Sequence, residues 1–405
     1  MTLCIAELSL NPIRIAFHVI DEFVPWSILG VGFSQLTFFI SGLIYACLVV
    51  MRRRVLYGEA AFLVVIVLSM ITSSFVNPVR DVYFELQGWL QFFLSLSIVR
   101  LALLREKHNA SLILEWLIFL MASFIMCFVA YIFVSGFLID FVGTSDIRME
   151  GVLSSSCVLG LILISVGNLS DPLRSHKYGI LGIAAALLLA LLSVTRSTIL
   201  LAFLMLAVAT FLLINKKRGL VRKFLGTAFA VLLLLLVWFI FESIAPDYVE
   251  FLIFRLENFS TGGSNYRLQE ITRELELWSE FPVFGHGAGL RYVYESAAGV
   301  PFFGHNVFSS MLARYGLAGL VFLSAVAFYI NRLLISVQTD KAFKLILVTF
   351  FVCITLQLSV GNFTYHPAMG FYGAIFGLLS MVNKRDKRVS LHHSNTAKYG
   401  SERPI

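Results

Sequence analysis

Long apolar runs separated by short polar loops recur along almost the whole chain. Runs such as 224–241 and 345–358 are long enough, with their flanks, to cross about 30 Å of hydrocarbon. The pattern predicts about eleven spans, near 30–50, 59–77, 83–103, 111–137, 152–168, 178–194, 198–215, 223–243, 306–330, 344–361 and 367–383. A further element within residues 3–22 would make twelve. The expected fold is all-α, a polytopic transmembrane helical bundle. One segment breaks the pattern: residues 245–304 form the only long polar stretch between spans. Within it "STGGSNYRLQEITRELELWSEFP" predicts a helix that Ser264 or Asn265 can cap and Pro282 stops. Leu268, Ile271, Leu275 and Trp278 recur at helical spacing on one face, which suits a helix on the membrane surface or over the outer mouth of the bundle. "GHGAG" at 285–289 follows as a flexible turn. The chain thus divides into an N-terminal bundle (1–244), a large outer loop (245–304), C-terminal helices (305–383) and a basic tail (384–405), without a second soluble domain or an internal repeat.

Composition agrees with the pattern. Hydrophobic residues make up 59% and charged residues 14%, where a soluble chain carries about 25% charged. Mean hydropathy is +0.86. The net charge of +7 invites a nucleic-acid reading, but the cations sit in short loops: Arg52 to Arg54, Lys216 to Arg218 with Arg222 and Lys223, and Lys384, Arg385, Lys387 and Arg388. Taking loops alternately, and counting Arg100 and Arg314 with the nearer ends of their spans, one side carries 22 of the 31 Lys and Arg residues and the other carries nine, all Arg. The lysine-bearing side is expected in the cytoplasm and the other in the periplasm. An odd span count then starts the chain outside, and an element within 3–22 would start it inside. The five cysteines show neither metal-ligand spacing nor a disulfide framework. The first twenty residues lack the ordered parts of a cleavable signal peptide.

A few polar residues break the apolar pattern in places where chemistry can sit. Arg196 lies in "LLSVTRSTILLAFL", between two apolar runs and without a nearby acid. It either snorkels to the outer headgroups or binds an anion at the outer rim. Arg267, in the first turn of the loop helix, either pairs with Glu270 or joins free backbone N–H groups in a phosphate-sized site. Arg273, with Glu270, Glu274 and Glu276 around it, reads as a solvated face. Arg148 in "DIRMEG" is a third pole, with Asp146 as its alternative partner. His305 suits a general base or acid, or caps the next helix together with Asn306. These two open His-Asn-x9-Gly-x-x-Gly, whose Gly316 and Gly319 are expected to permit close helix contact. The chain contains no Asp-x-Asp, His-x-x-x-His, Walker loop or dinucleotide fingerprint. The glycines at 285–289 lack a preceding parallel strand.

Taken together, "SVTRSTILLAFL", the long loop with "NYRLQ", "FPVFGHGAG" and "HNVFSSMLARYGLAG" resemble the O-antigen ligase and Wzy-type polymerase superfamily of bacterial membranes. The resemblance covers roughly residues 145–330. It departs at Ile271, where relatives tend to place a tryptophan. It implies a GT-C-like bundle in the inner membrane with its site facing the periplasm. It also implies an inverting glycosyltransferase that uses no metal or other cofactor. Such enzymes move a saccharide from a polyprenyl diphosphate carrier to a lipid A-core sugar or a growing glycan. By this resemblance Arg196 and Arg267 hold the diphosphate and stabilise the leaving group. His305 positions or deprotonates the acceptor hydroxyl, and Arg148, Asn306, Gly285 and Gly287 contribute to substrate binding. Membrane lipid and other polysaccharide assembly proteins are the further partners implied, and nucleic acid is not among them.

Two other classes compete. A flippase for the same lipid-linked sugar calls for ionisable residues deep in several spans, whereas Glu85 and Glu115 fall near span ends. A non-catalytic assembly partner needs no such set of arginines and histidine. Ligase and polymerase are not separated by the motifs. The loop's eight acids against four arginines make no obvious clamp for a phosphorylated acceptor.

Overall fold

The computed structural model of the chain describes residues 27–28, 31–104, 110–134, 151–170, 176–192, 196–215, 264–293, 306–335, 341–358 and 368–382. Among these the architecture is helical. Its helices are α1 (Phe33–Arg52), α2 (Tyr57–Ser73), α3 (Val79–Leu103), α4 (Ala110–Val134), α5 (Gly151–Ser170), α6 (His176–Leu192), α7 (Arg196–Asn215), α8 (Ser264–Glu280), α9 (Val307–Ile335), α10 (Lys341–Leu358) and α11 (Ala368–Val382). The only strands among the described residues are two residues each: Ser27–Ile28 pairs antiparallel with Val31–Gly32 ahead of α1. Ten of the eleven expected spans coincide with helices. The one near 223–243 lies outside the described residues, as do the tail and the first 26 residues.

α3 is the central helix, buried along nearly its whole length, with α1, α2 and α11 packed around it. Its contact with α11 is the most intimate. A Cβ at Gly373 would stand 2.1 Å from the Phe92 carbonyl oxygen, and one at Gly377 3.0 Å from that of Leu96. Two glycines four apart let the backbones touch where a larger side chain would hold them off. α5 joins this centre to α6, α7 and α10.

Helices α3 and α9 are long and apolar enough to cross a membrane by length and composition; the remaining apolar helices are shorter over their described residues. The outward faces are apolar too. Val64, Val65, Val67, Leu68 and Ile71 on α2, Val321 and Phe328 on α9, and Leu345, Val348, Val352 and Leu356 on α10 are all exposed. Exposed apolar side chains in such numbers mark contact with lipid or protein rather than water. Hydroxyls on these helices are satisfied within their own turns: Thr72, Thr349 and Thr355 donate to the carbonyls four residues back at 2.8–3.0 Å.

Polar residues gather at the two ends of the α2–α3–α9 group. At one end Arg100 donates to Glu59 and, at 3.0 Å, to the Tyr329 hydroxyl, and Arg52 caps α3 through the Ala102 carbonyl at 3.1 Å. At the other end α2 turns into α3 through Pro78, whose carbonyl accepts from Asp81 N and Val82 N. The loop helix α8 and the glycine segment after it dock at that second end.

Candidate functional site

The docking is built on a break in α9. Gly316 has φ 60 and ψ −152, conformations a helix does not contain. The break frees two carbonyls and two amides, which in an apolar setting need partners. The segment after α8 supplies all four. His286 N donates to Ala313 O (3.0 Å) and Gly287 N to Arg314 O (2.7 Å), while Leu317 N donates to Pro282 O (2.9 Å) and Ala318 N to Val283 O (3.1 Å). The two backbones approach so closely that only glycine fits at the crossing. A Cβ on Gly285, itself at φ +64, would lie 2.4 Å from Arg314 C, and one on Gly316 would lie 2.4 Å from Val283 C.

These contacts change three expectations. The segment 285–289 is a fixed joint, not a flexible turn, because its backbone completes a broken helix. Gly316 serves that joint, not a helix–helix contact. Gly319 sits against its own preceding turn, where a Cβ would meet Tyr315 Cβ at 2.6 Å. Close helix packing falls to Gly373 and Gly377 instead. The amides of the glycine segment are also all occupied: Gly285 N by Phe281 O (2.9 Å), Ala288 N by Ser73 Oγ (2.9 Å) and Gly289 N by Glu85 Oε2 (2.6 Å), besides the two above. Gly285 and Gly287 therefore present no free N–H here.

Side chains of three helices close around the joint. Asn77, in the α2–α3 turn, donates to the carbonyls of His286 (3.0 Å) and Ala288 (2.8 Å). Asp81 receives Arg291 through Nε at 2.6 Å and through a terminal nitrogen at 2.7 Å, a two-point pairing that holds the guanidinium above its ordinary range. Glu85 accepts from the Tyr315 hydroxyl (2.6 Å) and lies 3.3 Å from Arg314, both side chains of that ion pair being almost fully enclosed. His286 places Nε2 3.0 Å from the Leu277 carbonyl oxygen, which requires the proton on that nitrogen.

α8 packs on α9 through a face the apolar spacing does not predict. Glu270, Glu274 and Leu277 are buried, whereas Leu268 is 65% and Leu275 40% exposed. The reason is polar complementarity. Glu274 accepts from the Tyr292 hydroxyl and from Ser309 on α9, and Leu277 joins Tyr292 and Ala313 in a small apolar cluster. Burial pushes the Glu274 carboxyl up to about 7. Its two hydroxyl donors and the Arg314 charge oppose that rise, and Glu270 adds to it. Tyr292 is raised as well, first by burial and then by the Glu274 charge. Arg273 pairs with Glu276 at 2.9 Å on the solvent side, but Glu270 and Glu274, expected on the same solvated face, are buried.

The site residues expected from sequence fall as follows. Arg196 is the first residue of α7 and Arg267 lies in the first turn of α8; their side chains lie outside the described set. Arg148 and His305 lie outside it altogether. Asn306 precedes α9 and caps it, its Oδ1 accepting from Phe308 N (2.9 Å) and Ser309 N (3.2 Å). Glu274, Tyr292, Arg314 and Asp81 escape the sequence reading. Arg314 carried a usable signal: a cation inside the predicted span 306–330 requires a partner, and Glu85 provides it.

Residues 181–324 match the family described as O-antigen ligase. That stretch contains α8, the joint and the break in α9, together with Arg196, Arg267 and His305, and it bears out the family resemblance of the motifs. Arg148 lies outside it. No curated protein matches the chain.

Proposed function

We propose that this chain, which carries a domain of the O-antigen ligase family at residues 181–324, is a multi-span glycosyltransferase of the bacterial inner membrane. It transfers an oligo- or polysaccharide from a polyprenyl diphosphate carrier to a sugar acceptor on the periplasmic face, the acceptor being lipid A-core or a growing glycan. The observation that carries this reading is the family match itself, because one continuous stretch takes in all three residues assigned to the chemistry.

In this reading Arg196 and Arg267 bind the diphosphate and neutralise charge that grows on it as the glycosidic bond breaks. Both open helices, at the end where backbone N–H groups and the macrodipole also favour an anion. His305 orients the acceptor hydroxyl or takes its proton, and Arg148 supports the anion. Asn306, next to His305 in the chain, caps the first turn of α9. Gly285 and Gly287 contribute the shape of the joint. Arginines at the diphosphate take the place a metal holds in other transferases.

The test is a deletion strain complemented with Arg196→Ala, Arg267→Ala or His305→Ala, each checked for presence in the membrane. Loss of surface polysaccharide in all three is expected. Unchanged polysaccharide in all three refutes the reading. The same glycolipid gel separates the variants of the function. Free polymer with a bare core means ligase, a single-repeat rung means polymerase, and lipid-linked sugar held on the inner leaflet means a flippase.

A further inference from the structure

We propose that the joint is a lipid anchor, resting this on the multi-span reading above and not on the reaction. Phe281, Val283 and Phe284, with Phe75, Val76 and Val79 of the α2–α3 turn, reach from headgroup level into the acyl chains of the outer leaflet. These six side chains are 53–85% exposed. They occupy two short connections, where chain facing water favours Gly, Asn, Asp and Ser. The two connections are tied together: Asn77 donates to the His286 and Ala288 carbonyls, and Ser73 Oγ accepts from Ala288 N.

Their depth follows from α2 and α9. The 17 residues of α2 rise about 26 Å, and α9 beyond its break, residues 317–335, rises about 28 Å. Each nearly matches the roughly 30 Å of hydrocarbon, and the two lie between the same levels. At one end a Cβ on Gly58 would meet the Tyr329 ring at 2.7 Å, and Arg100 reaches both Glu59 and Tyr329. At the other end the joint bonds to α2 through Ser73 and to α9 through Ala313, Arg314, Leu317 and Ala318. The joint therefore stands at the edge of the hydrocarbon, at the end away from Arg52, Arg53 and Arg54.

The apolar rows of both helices lead to it. Val64, Leu68, Ile71 and Phe75 follow at spacings of four, three and four, on one side of α2, and all are exposed. On α9 the exposed row begins at Leu317, whose amide bonds to Pro282 O, and continues through Val321 and Phe328. The backbone suits an apolar boundary too, because irregular chain near lipid needs its polar groups paired. The carbonyls of Phe281, Pro282 and Val283 accept from Gly285 N, Leu317 N and Ala318 N, and Pro282 has no N–H to satisfy. In the turn, the amides of Phe75, Val76 and Asn77 donate back to Thr72 and Ser73. Hydrogen bonds thus hold the two connections to the bundle while their apolar side chains face away from it, the arrangement of an interfacial anchor. Arg80, exposed beside Val79, holds its guanidinium 5.5 Å over the Phe84 ring, a cation on an apolar shelf that suits lipid phosphates.

The full chain, its five cysteines replaced by alanine, receives Phe75→Cys, Val283→Cys or Phe284→Cys singly. Each cysteine carries a nitroxide, and the protein is reconstituted into vesicles of phosphatidylethanolamine and phosphatidylglycerol. Phe328→Cys on α9 is the lipid-facing control. Glu276→Cys, on the solvent side of α8, is the wet one. The three labels are expected to collide more often with oxygen, which partitions into lipid, than with a water-soluble nickel chelate, as at 328 and the reverse of 276. Labels as open to the chelate as the one at 276 overturn the proposal. Labels closed to both reagents also overturn it, because protein, such as a second copy of the chain, then covers the joint. A label at 328 that is open to the chelate removes the span assigned to α9, and the multi-span reading fails with it. Should the cysteine-free chain not fold, p-benzoylphenylalanine at Phe284 of the otherwise native chain, irradiated in the same vesicles, decides. A phospholipid adduct by mass spectrometry supports the anchor. No adduct there, while position 328 gives one, overturns it.

Discussion

Replacing Gly285 by alanine tests the joint that holds the segment after α8 to α9. The added methyl carbon would lie 2.4 Å from the Arg314 carbonyl carbon and 2.5 Å from both Arg314 O and Tyr315 N. All three atoms are backbone, so no rotamer change relieves the clash, and the segments must part by about 1 Å to reach ordinary carbon contact. Four hydrogen bonds of 2.7–3.1 Å cross this seam, and a separation of that size breaks them. At about 1 kcal/mol each they account for about 4 kcal/mol. The left-handed conformation at φ +64 adds about 1–2 kcal/mol for any residue with a Cβ. The sum of about 5 kcal/mol rivals the whole stability of a small domain. The purified protein in detergent should melt roughly 10 °C lower, with new protease cleavage within 281–289 and loss of surface polysaccharide. Phe284→Ala, next in the chain and 76% exposed, is the control and should change none of these. A Gly285→Ala protein that melts within about 2 °C of wild type and supports full polymer would refute the account of the joint.

Two further outcomes follow from the buried charges. The Glu274 carboxyl stands at about 7 in the folded chain against an ordinary 4.5, so between those values the native state holds a proton the unfolded chain has released. Its stabilisation is fully present below about 4.5 and is lost as pH rises through 7, a change of about 3 kcal/mol. Glu274→Gln should therefore melt above wild type at pH 8 and match it near pH 4.5; equal melting at both pH values would count against the burial of that acid. Arg314→Ala leaves Glu85 enclosed without its cation and should cost about 3–5 kcal/mol. Arg314→Ala with Glu85→Gln should recover much of it, as read from melting temperature and the amount of protein in the membrane.

The helices were legible because their signal is local. An apolar run of twenty residues between basic loops reports a helix whatever surrounds it, and α1 to α7 and α9 to α11 fall where the runs do. The loop helix was legible from its local pattern too, and it runs from Ser264 to Glu280, before Pro282. Its buried face was not. Leu268 and Leu275 point outward because the surface of α9 that α8 meets offers Ser309 and a nearby Arg314, and a carboxylate finds partners there. Hydropathy spacing carries no information about what the facing surface presents.

The sequence by itself determined a helical, membrane-type chain, the helix at 264–280 in its polar stretch and a family resemblance resting on motifs between Arg196 and Gly319. Those follow from composition, periodicity and spacing, which are properties of the chain read in order. Only the tertiary structure decided that the glycine segment splices a broken helix, that Glu85 answers Arg314 across more than two hundred residues, and that Glu274 turns inward. Each of these depends on which unpaired backbone groups and charges meet in space, and in an apolar setting such groups take whatever partner the fold brings within reach.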